Sequence, residues 1–195
     1  MTIIEDGLGS GRKAEVDIDH QLVVTSITES QEHRISQDSE SSYFLSVGQN
    51  IDSLTLATTN DAKLLLLQSL NPNKTLVVER IIVSADTAGA TLRFVKNYTI
   101  GTLANNTATP PENMNFSSSL AADVNAQIWD EVGTVGMTGL TLGSTFKTFI
   151  LNAGPQILPI DGTPVLDQND NIGLEIHNPT GGSIEVEVGI RFYFE

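Results

Sequence analysis

Apolar residues recur at a period of two through much of this chain, in runs too short for helices. In 183–195, Ile184, Val186, Val188 and Ile190 alternate with Glu185, Glu187, Gly189 and Arg191, which gives one face to a core and one to water. Comparable runs cover 43–47, 53–57, 63–70, 76–85, 91–98, 138–142, 147–151, 156–160 and 171–177. Turn chemistry separates them: Gly48-Gln49-Asn50, Thr59-Asn60-Asp61, Asn71-Pro72-Asn73-Lys74, Asp86-Thr87-Ala88-Gly89, Gly143-Ser144 and Gly154-Pro155. This spacing predicts an all-β antiparallel sandwich rather than βαβ units. The leucines 64–67 favour a helix by propensity, but a run of eight residues closed by Asn71-Pro72 is short for one and reads as a strand. Residues 171–177 and 183–195 flank Asn178-Pro179-Thr180-Gly181-Gly182, which reads as a hairpin connection. The final Phe192-Tyr193-Phe194 is apolar enough to be tied into a sheet, where a neighbouring subunit could also cover it.

Two stretches break the pattern. Residues 101–136, with Asn105-Asn106, Pro110-Pro111 and Ser117-Ser118-Ser119, read as a long excursion serving contact, with one helix candidate at 120–129. Trp129 is its possible contact residue; a place in a satellite core is the simpler reading of one tryptophan. Residues 1–42 carry nine acids and three bases, a balance of −6, and few apolar side chains. That segment reads as an extended arm and linker, 1–42, ahead of a sandwich body, 43–195. Within it Ala14, Val16 and Ile18 alternate with Glu15, Asp17 and Asp19, and 22–27 is β-prone, so its strands need a host sheet. The polar stretch 29–42 is the linker.

Charge and composition narrow the function. With 24 acidic and 10 basic residues among 195, the net charge of −14 has the wrong sign for wrapping nucleic acid. No apolar run approaches the roughly 20 residues that span a bilayer, and the acidic amino terminus lacks a signal-peptide pattern, so the expectation is a soluble, unprocessed chain with no membrane partner. The chain has no cysteine, which excludes thiol catalysis, thiolate metal sites and disulfides. At this length a core needs no such staple.

Catalytic and ligand motifs are weak. His20, His33 and His177 are far apart in sequence, without a zinc or nucleophile-elbow motif around them. His177, before Asn178-Pro179, reads as a strand-end residue, and a hydrolase using His177, His20 and Asp170 is the least favoured class. Gly7-Leu8-Gly9-Ser10-Gly11-Arg12-Lys13 lacks phosphate-loop spacing and suits an extendable arm. Asp167-Gln168-Asn169-Asp170-Asn171 starts like a calcium loop but has Ile172 at the turn-glycine position and Asn178 at the closing glutamate, so it reads as a turn. Sequons at Asn73, Asn97, Asn105 and Asn115 carry no weight without a secretory signal. The expectation is a non-enzyme with no cofactor and no metal.

The opening Ile3-Ile4-Glu5-Asp6-Gly7-Leu8-Gly9-Ser10-Gly11-Arg12-Lys13-Ala14-Glu15-Val16-Asp17, followed by Leu22-Val23-Val24-Thr25-Ser26-Ile27-Thr28, resembles the amino-terminal arm of a group of tailed-bacteriophage virion proteins. Ala90-Thr91-Leu92-Arg93-Phe94, Ile157-Leu158-Pro159 and the ending 179–195 resemble the same group. The resemblance implies a capsid decoration (cement) or head-fibre protein of the virion, made in the host cytoplasm, with tail or baseplate attachment as the alternative. On that reading the body is a jelly-roll-like β-sandwich. The arm, through Ile3, Ile4, Val16, Ile18, Leu22 and Val24, docks on the major capsid protein, another virion protein or a neighbouring subunit. A homo-oligomer follows, a trimer by analogy with other decoration proteins. In the alternative, the excursion 102–136 and Trp129 contact a receptor or glycan.

Overall fold

The computed structural model describes residues 41–47, 61–130, 136–158, 160, 164–179 and 183–195, together with the backbone of four short strands at 3–5, 13–16, 22–23 and 54–55. The chain forms two compact units, Met1–Gln31 and Glu32–Glu195.

In the first unit, β1 (Ile3–Glu5), β2 (Lys13–Val16) and β3 (Leu22–Val23) make a three-stranded antiparallel sheet in chain order. Ile4 is registered with Ala14, and Val16 with Leu22. The ladders that the sequence assigned to a foreign host sheet are thus partly formed between the arm's own strands.

The second unit contains no helix among its described residues. Its principal strands are β4 (Ser42–Val47), β6 (Asp61–Ser69), β7 (Leu76–Ala85), β8 (Thr91–Lys96), β14 (Ser144–Ile150), β15 (Gly154–Leu158), β17 (Asn171–His177) and β19 (Val186–Phe194). Short strands accompany them: β5 (Leu54–Thr55), β9 (Thr99–Ala104), β10 (Asn106–Ala108), β11 (Glu112–Asn113), β12 (Val124–Trp129), β13 (Thr138–Thr141), β16 (Val165–Leu166) and β18 (Ser183–Ile184). Sheet I runs β10-β12-β6-β17-β8-β14, and sheet II runs β11-β4-β19-β7-β15 with β16 also on β7. All these pairings are antiparallel. The first principal strand pairs with the last (β4 with β19), and the second with the last but one (β6 with β17), which is the nested order of a jelly roll.

Alternation explains most of this. In β19, Val186, Val188, Ile190, Phe192 and Phe194 are all buried, while Glu187 between them is exposed. Opposite them, β17 contributes Ile172, Leu174 and Ile176 to the same core cluster. These two strands therefore meet through side chains across the core. They are not the hairpin the sequence suggested, because the connection between them passes from sheet I to sheet II. The leucines 64–67 do lie in a strand, and all four are fully buried.

The helix expected at 120–129 is also corrected. Residues 124–129 form β12, paired with β6 and β10. Val124, Ala126 and Ile128 alternate with Asn125, Gln127 and Trp129, a period of two that the exposed edge of the leucine-rich β6 selects over helix. The described part of the excursion, 101–130 and 136, is therefore ordered structure. From β8 the chain forms β9, adds β10 to the far edge of sheet I and β11 to the far edge of sheet II, returns as β12, and pairs β13 with β9 before entering β14.

Candidate functional site

The β9–β13 ribbon lies over the outward side of sheet I. Met137 N donates to Lys63 O at 2.9 Å, and Gly136 bridges Lys63 in parallel. Gly143 lies so close to Val95 and Tyr98 that a Cβ there would fall 2.5 and 2.7 Å from their side chains. At Gly139, φ is +86° and a Cβ would meet Thr102 O at 2.2 Å, so only glycine lets the two ribbon strands approach this closely. Register places Leu66, Val95 and Trp129 on the side of sheet I away from the core, yet all three are buried. They form a second apolar layer beneath the ribbon, together with Met137 and Leu140. Trp129 is 4% exposed, so it offers no face to a ligand and takes the satellite-core role.

Beside this layer stands a polar cluster built across three strands. Asp61 of β6 is registered with His177 of β17, and Arg93 of β8 with Glu175. Arg93 Nη1 lies 2.6 Å from Asp61 Oδ2, and His177 Nδ1 is 3.1 Å from Asp61 Oδ1. The Asp61 carboxylate is shared between the Arg93 and His177 side chains and ties three strands together. Tyr98 stacks over Gly173, where a Cβ would fall 2.6 Å from the ring, and its hydroxyl donates to Glu175 Oε1 at 2.5 Å. Burial pushes the Tyr98 phenol well above its ordinary range; the hydrogen bond and charge of Glu175 and the charge of Asp61 add to this, and Arg93 opposes it. The phenol therefore remains a donor. Asn171 completes the support: Tyr98 N donates to its Oδ1 at 2.8 Å, and its Nδ2 donates to Tyr98 O at 3.1 Å.

Sheet II carries a counterpart. A bulge in β7 opposite Arg191 and Phe192 turns Glu79 and Arg80 outward together. Glu79 then receives Arg80 Nη2 at 2.7 Å and Arg191 Nε at 2.8 Å. Both clusters are cross-strand ion pairs on outward faces, with geometry suited to fixing register.

The residues singled out in sequence are distributed as follows. Ile3 and Ile4 lie in β1, Val16 in β2 and Leu22 in β3, while Ile18 and Val24 fall outside the described residues, as do His20, His33 and most of the glycine-rich 7–13 and the linker 29–42. His177 ends β17, and its carboxylate partner is Asp61, not Asp170. Asp170 belongs to a turn: its N donates to Asp167 O at 3.0 Å, and Asn169 takes a φ of 71°. Among the described residues no group of three or more metal-binding side chains converges. Sequence reading missed Asp61, Arg93 and Glu175, whose partnership depends on strand pairing that no local spacing encodes.

A row of amides crosses the outward side of sheet I near its β10 edge. Asn106 Nδ2 donates to Gln127 Oε1 at 2.7 Å, Gln127 Nε2 to Asn125 Oδ1 at 2.7 Å, and Asn125 Nδ2 to Gln68 Oε1 at 3.3 Å. An open groove of about 250 Å³ adjoins it, walled by Ala108, Pro110, Pro111, Ala121 and Ala122. No protein-family model, no curated protein and no solved structure matches the chain.

Proposed function

We propose that this chain is a non-enzymatic virion structural protein of a tailed bacteriophage, of the capsid decoration (cement) or head-fibre type. In this reading the amino-terminal unit attaches it to the major capsid protein, another virion protein or a neighbouring subunit, and the jelly-roll body faces outward. The observation that carries the reading is the division into a self-contained jelly roll and a separate acidic unit, Met1–Gln31, whose sequence begins with the arm that resembles those virion proteins. The short strands β1 to β3 suit attachment by backbone pairing to a partner's sheet edge, which needs no large hydrophobic patch. Repetition over a lattice would turn modest contacts into tight retention.

Deleting residues 1–31 tests this. The truncated body is expected to keep a cooperative unfolding transition and to lose binding to particles lacking the protein. Full occupancy by the truncated protein would refute the attachment role. A second reading, a tail or baseplate receptor- or glycan-binding module, draws on the amide row and its adjoining groove, since amides in register suit sugar hydroxyls. Immunogold labelling of the tail and a positive glycan array lost on Gln127→Ala would favour it over the first.

A further inference from the structure

The two sheets part at one mouth of the sandwich, between β14 and β16, and leave a cleft of about 230 Å³. Its floor is apolar, made by the buried side chains of Phe94, Leu166 and Ile172. A bulge in β14 between Thr145 and Lys147 brings in Phe146, whose ring meets Phe94 edge-on at 5.8 Å, and Val165 of β16 lines the cleft from sheet II. Phe146 is 46% and Val165 51% exposed, so water meets apolar surface on both walls. A ring entering here would extend the Phe94–Phe146 pair to a third aromatic group. Apolar cavities of about 150 Å³ hold benzene, so the cleft has room for one phenyl ring and a head group. It falls short of the roughly 300 Å³ at which pockets for drug-sized ligands begin.

Two charges of opposite sign stand at its rim. Lys96 is exposed and ends β8 on the same side of the strand as Phe94, and Asp170 closes the turn that leads into β17. Lys96 is registered with Ile172, so Asp170, two residues earlier, is its diagonal neighbour across the strands, at roughly 7–8 Å. Among the described residues no ion pair joins the two side chains. Asp170 Oδ2 accepts a long hydrogen bond from Asp167 N at 3.3 Å, which leaves the other oxygen to a ligand. Asp167 itself does not line the cleft.

This pair of charges selects among aromatic occupants. An aromatic acid would pair with Lys96 but bring its carboxylate towards Asp170, and an aromatic amine meets the reverse conflict. A phenylalanine side chain within a peptide carries neither charge and would shield both rim groups from water without pairing them. A free α-amino acid carries both signs on one carbon. With charge-assisted hydrogen bonds of about 2.8 Å at each end, its head group spans the gap. We propose that the cleft binds a free aromatic α-amino acid, with the ring against Phe94 and Phe146, the carboxylate on Lys96 and the ammonium on Asp170. The site belongs to the body alone and does not depend on what the amino-terminal unit attaches to.

Titration of the full chain with L-phenylalanine, followed by amide shifts in two-dimensional nitrogen–proton NMR, tests this. A small ligand in a half-open cleft should bind with a Kd on the order of 1 mM, with saturable shifts centred on 94–97, 146, 165–166 and 170–172. 3-Phenylpropionate, which lacks the ammonium, and 2-phenylethylamine, which lacks the carboxylate, should each bind on the order of 10-fold more weakly. Lys96→Gln and Asp170→Asn should each lose about 10-fold in phenylalanine affinity with far-ultraviolet spectra unchanged. Lys96→Gln should bind phenylethylamine, and Asp170→Asn phenylpropionate, no more weakly than wild type does. The proposal is overturned by the absence of saturable shifts up to about 10 mM phenylalanine, by equal binding of the three compounds, or by unchanged phenylalanine affinity in either variant. Equal binding of N-acetyl-phenylalaninamide, the result expected of a cleft for a partner protein's side chain, overturns it too.

Discussion

The outward faces of the two sheets are built from similar alternating strands and end in different states. Sheet I is roofed by the β9–β13 ribbon, so Leu66, Val95 and Trp129 are buried on a side where alternation would ordinarily place polar residues. Sheet II has its ion-pair cluster around Glu79 and, above it, Ile82 and Ile157 at 37% and 65% exposure. A buried outer layer makes the same residue type expensive to change on one face and cheap on the other. It also shows why the excursion cannot be treated as a dispensable loop: its strand β12 extends sheet I and its Trp129 is buried there, while Phe116 is displayed.

The largest expected contrast is between the apolar residues of the two faces. Trp129→Ala should cost about 3–5 kcal/mol, while Ile82→Ala should cost less than about 1 kcal/mol, read from denaturant midpoints at constant m. Equal costs would mean that the ribbon does not cover sheet I in solution. A finer probe uses two glycines with similar clashes. An alanine Cβ at Gly173 would meet the Tyr98 ring at 2.6 Å and Leu65 O at 2.8 Å, whereas at Gly189 it would meet the Phe44 ring at 2.4 Å. Tyr98 is clamped by Glu175, Gly143 and Asn171, while Phe44 is half-buried and free to swing outward. Gly173→Ala should therefore cost about 1–3 kcal/mol and Gly189→Ala clearly less, with calorimetric melting temperatures as the readout.

The smallest effect is in pH dependence. The Tyr98 phenol titrates above its ordinary 10.0 in the folded chain, so the unfolded chain loses this proton first as pH rises. The folded state then binds more protons, and stability falls above pH 10 by up to about 1.4 kcal/mol per pH unit. Tyr98→Phe lacks this contribution, so its deficit against wild type, about 1 kcal/mol at neutral pH from the lost hydrogen bond, should shrink above pH 10. Parallel alkaline stability curves for the two proteins would contradict the burial of the phenol.

Legibility in the sequence followed the same divide. Strands with polar side chains at their outer positions were plain: 76–85 and 171–177 match β7 and β17 end to end, because Glu79, Arg80 and Ser84 in one and Asn171, Glu175 and His177 in the other mark those positions. The leucines 64–67 were ambiguous because both sides of β6 are covered, which erases the alternation. At 120–129 a short helix-favouring lead-in, Leu120-Ala121-Ala122-Asp123, joined to β12 mimicked an amphipathic helix. The bulge that pairs Glu79 with two arginines, the crossing between β17 and β19, and the meeting of Asp61 with His177 depend on long-range register, which local pattern does not contain.

One junction in the body has a practical consequence. Ser41 Oγ donates to Phe194 O at 3.2 Å, Phe194 N to Ser41 O at 3.1 Å, and Glu195 N to Thr75 O at 3.1 Å. The residue that leads into the jelly roll and the one that leaves it are sewn side by side. A few glycines joining 195 to 41 would turn the body into a continuous loop of chain that can be reopened at a different surface turn. Such permuted versions would carry cargo, or the arm itself, to a chosen corner while every strand keeps its neighbours.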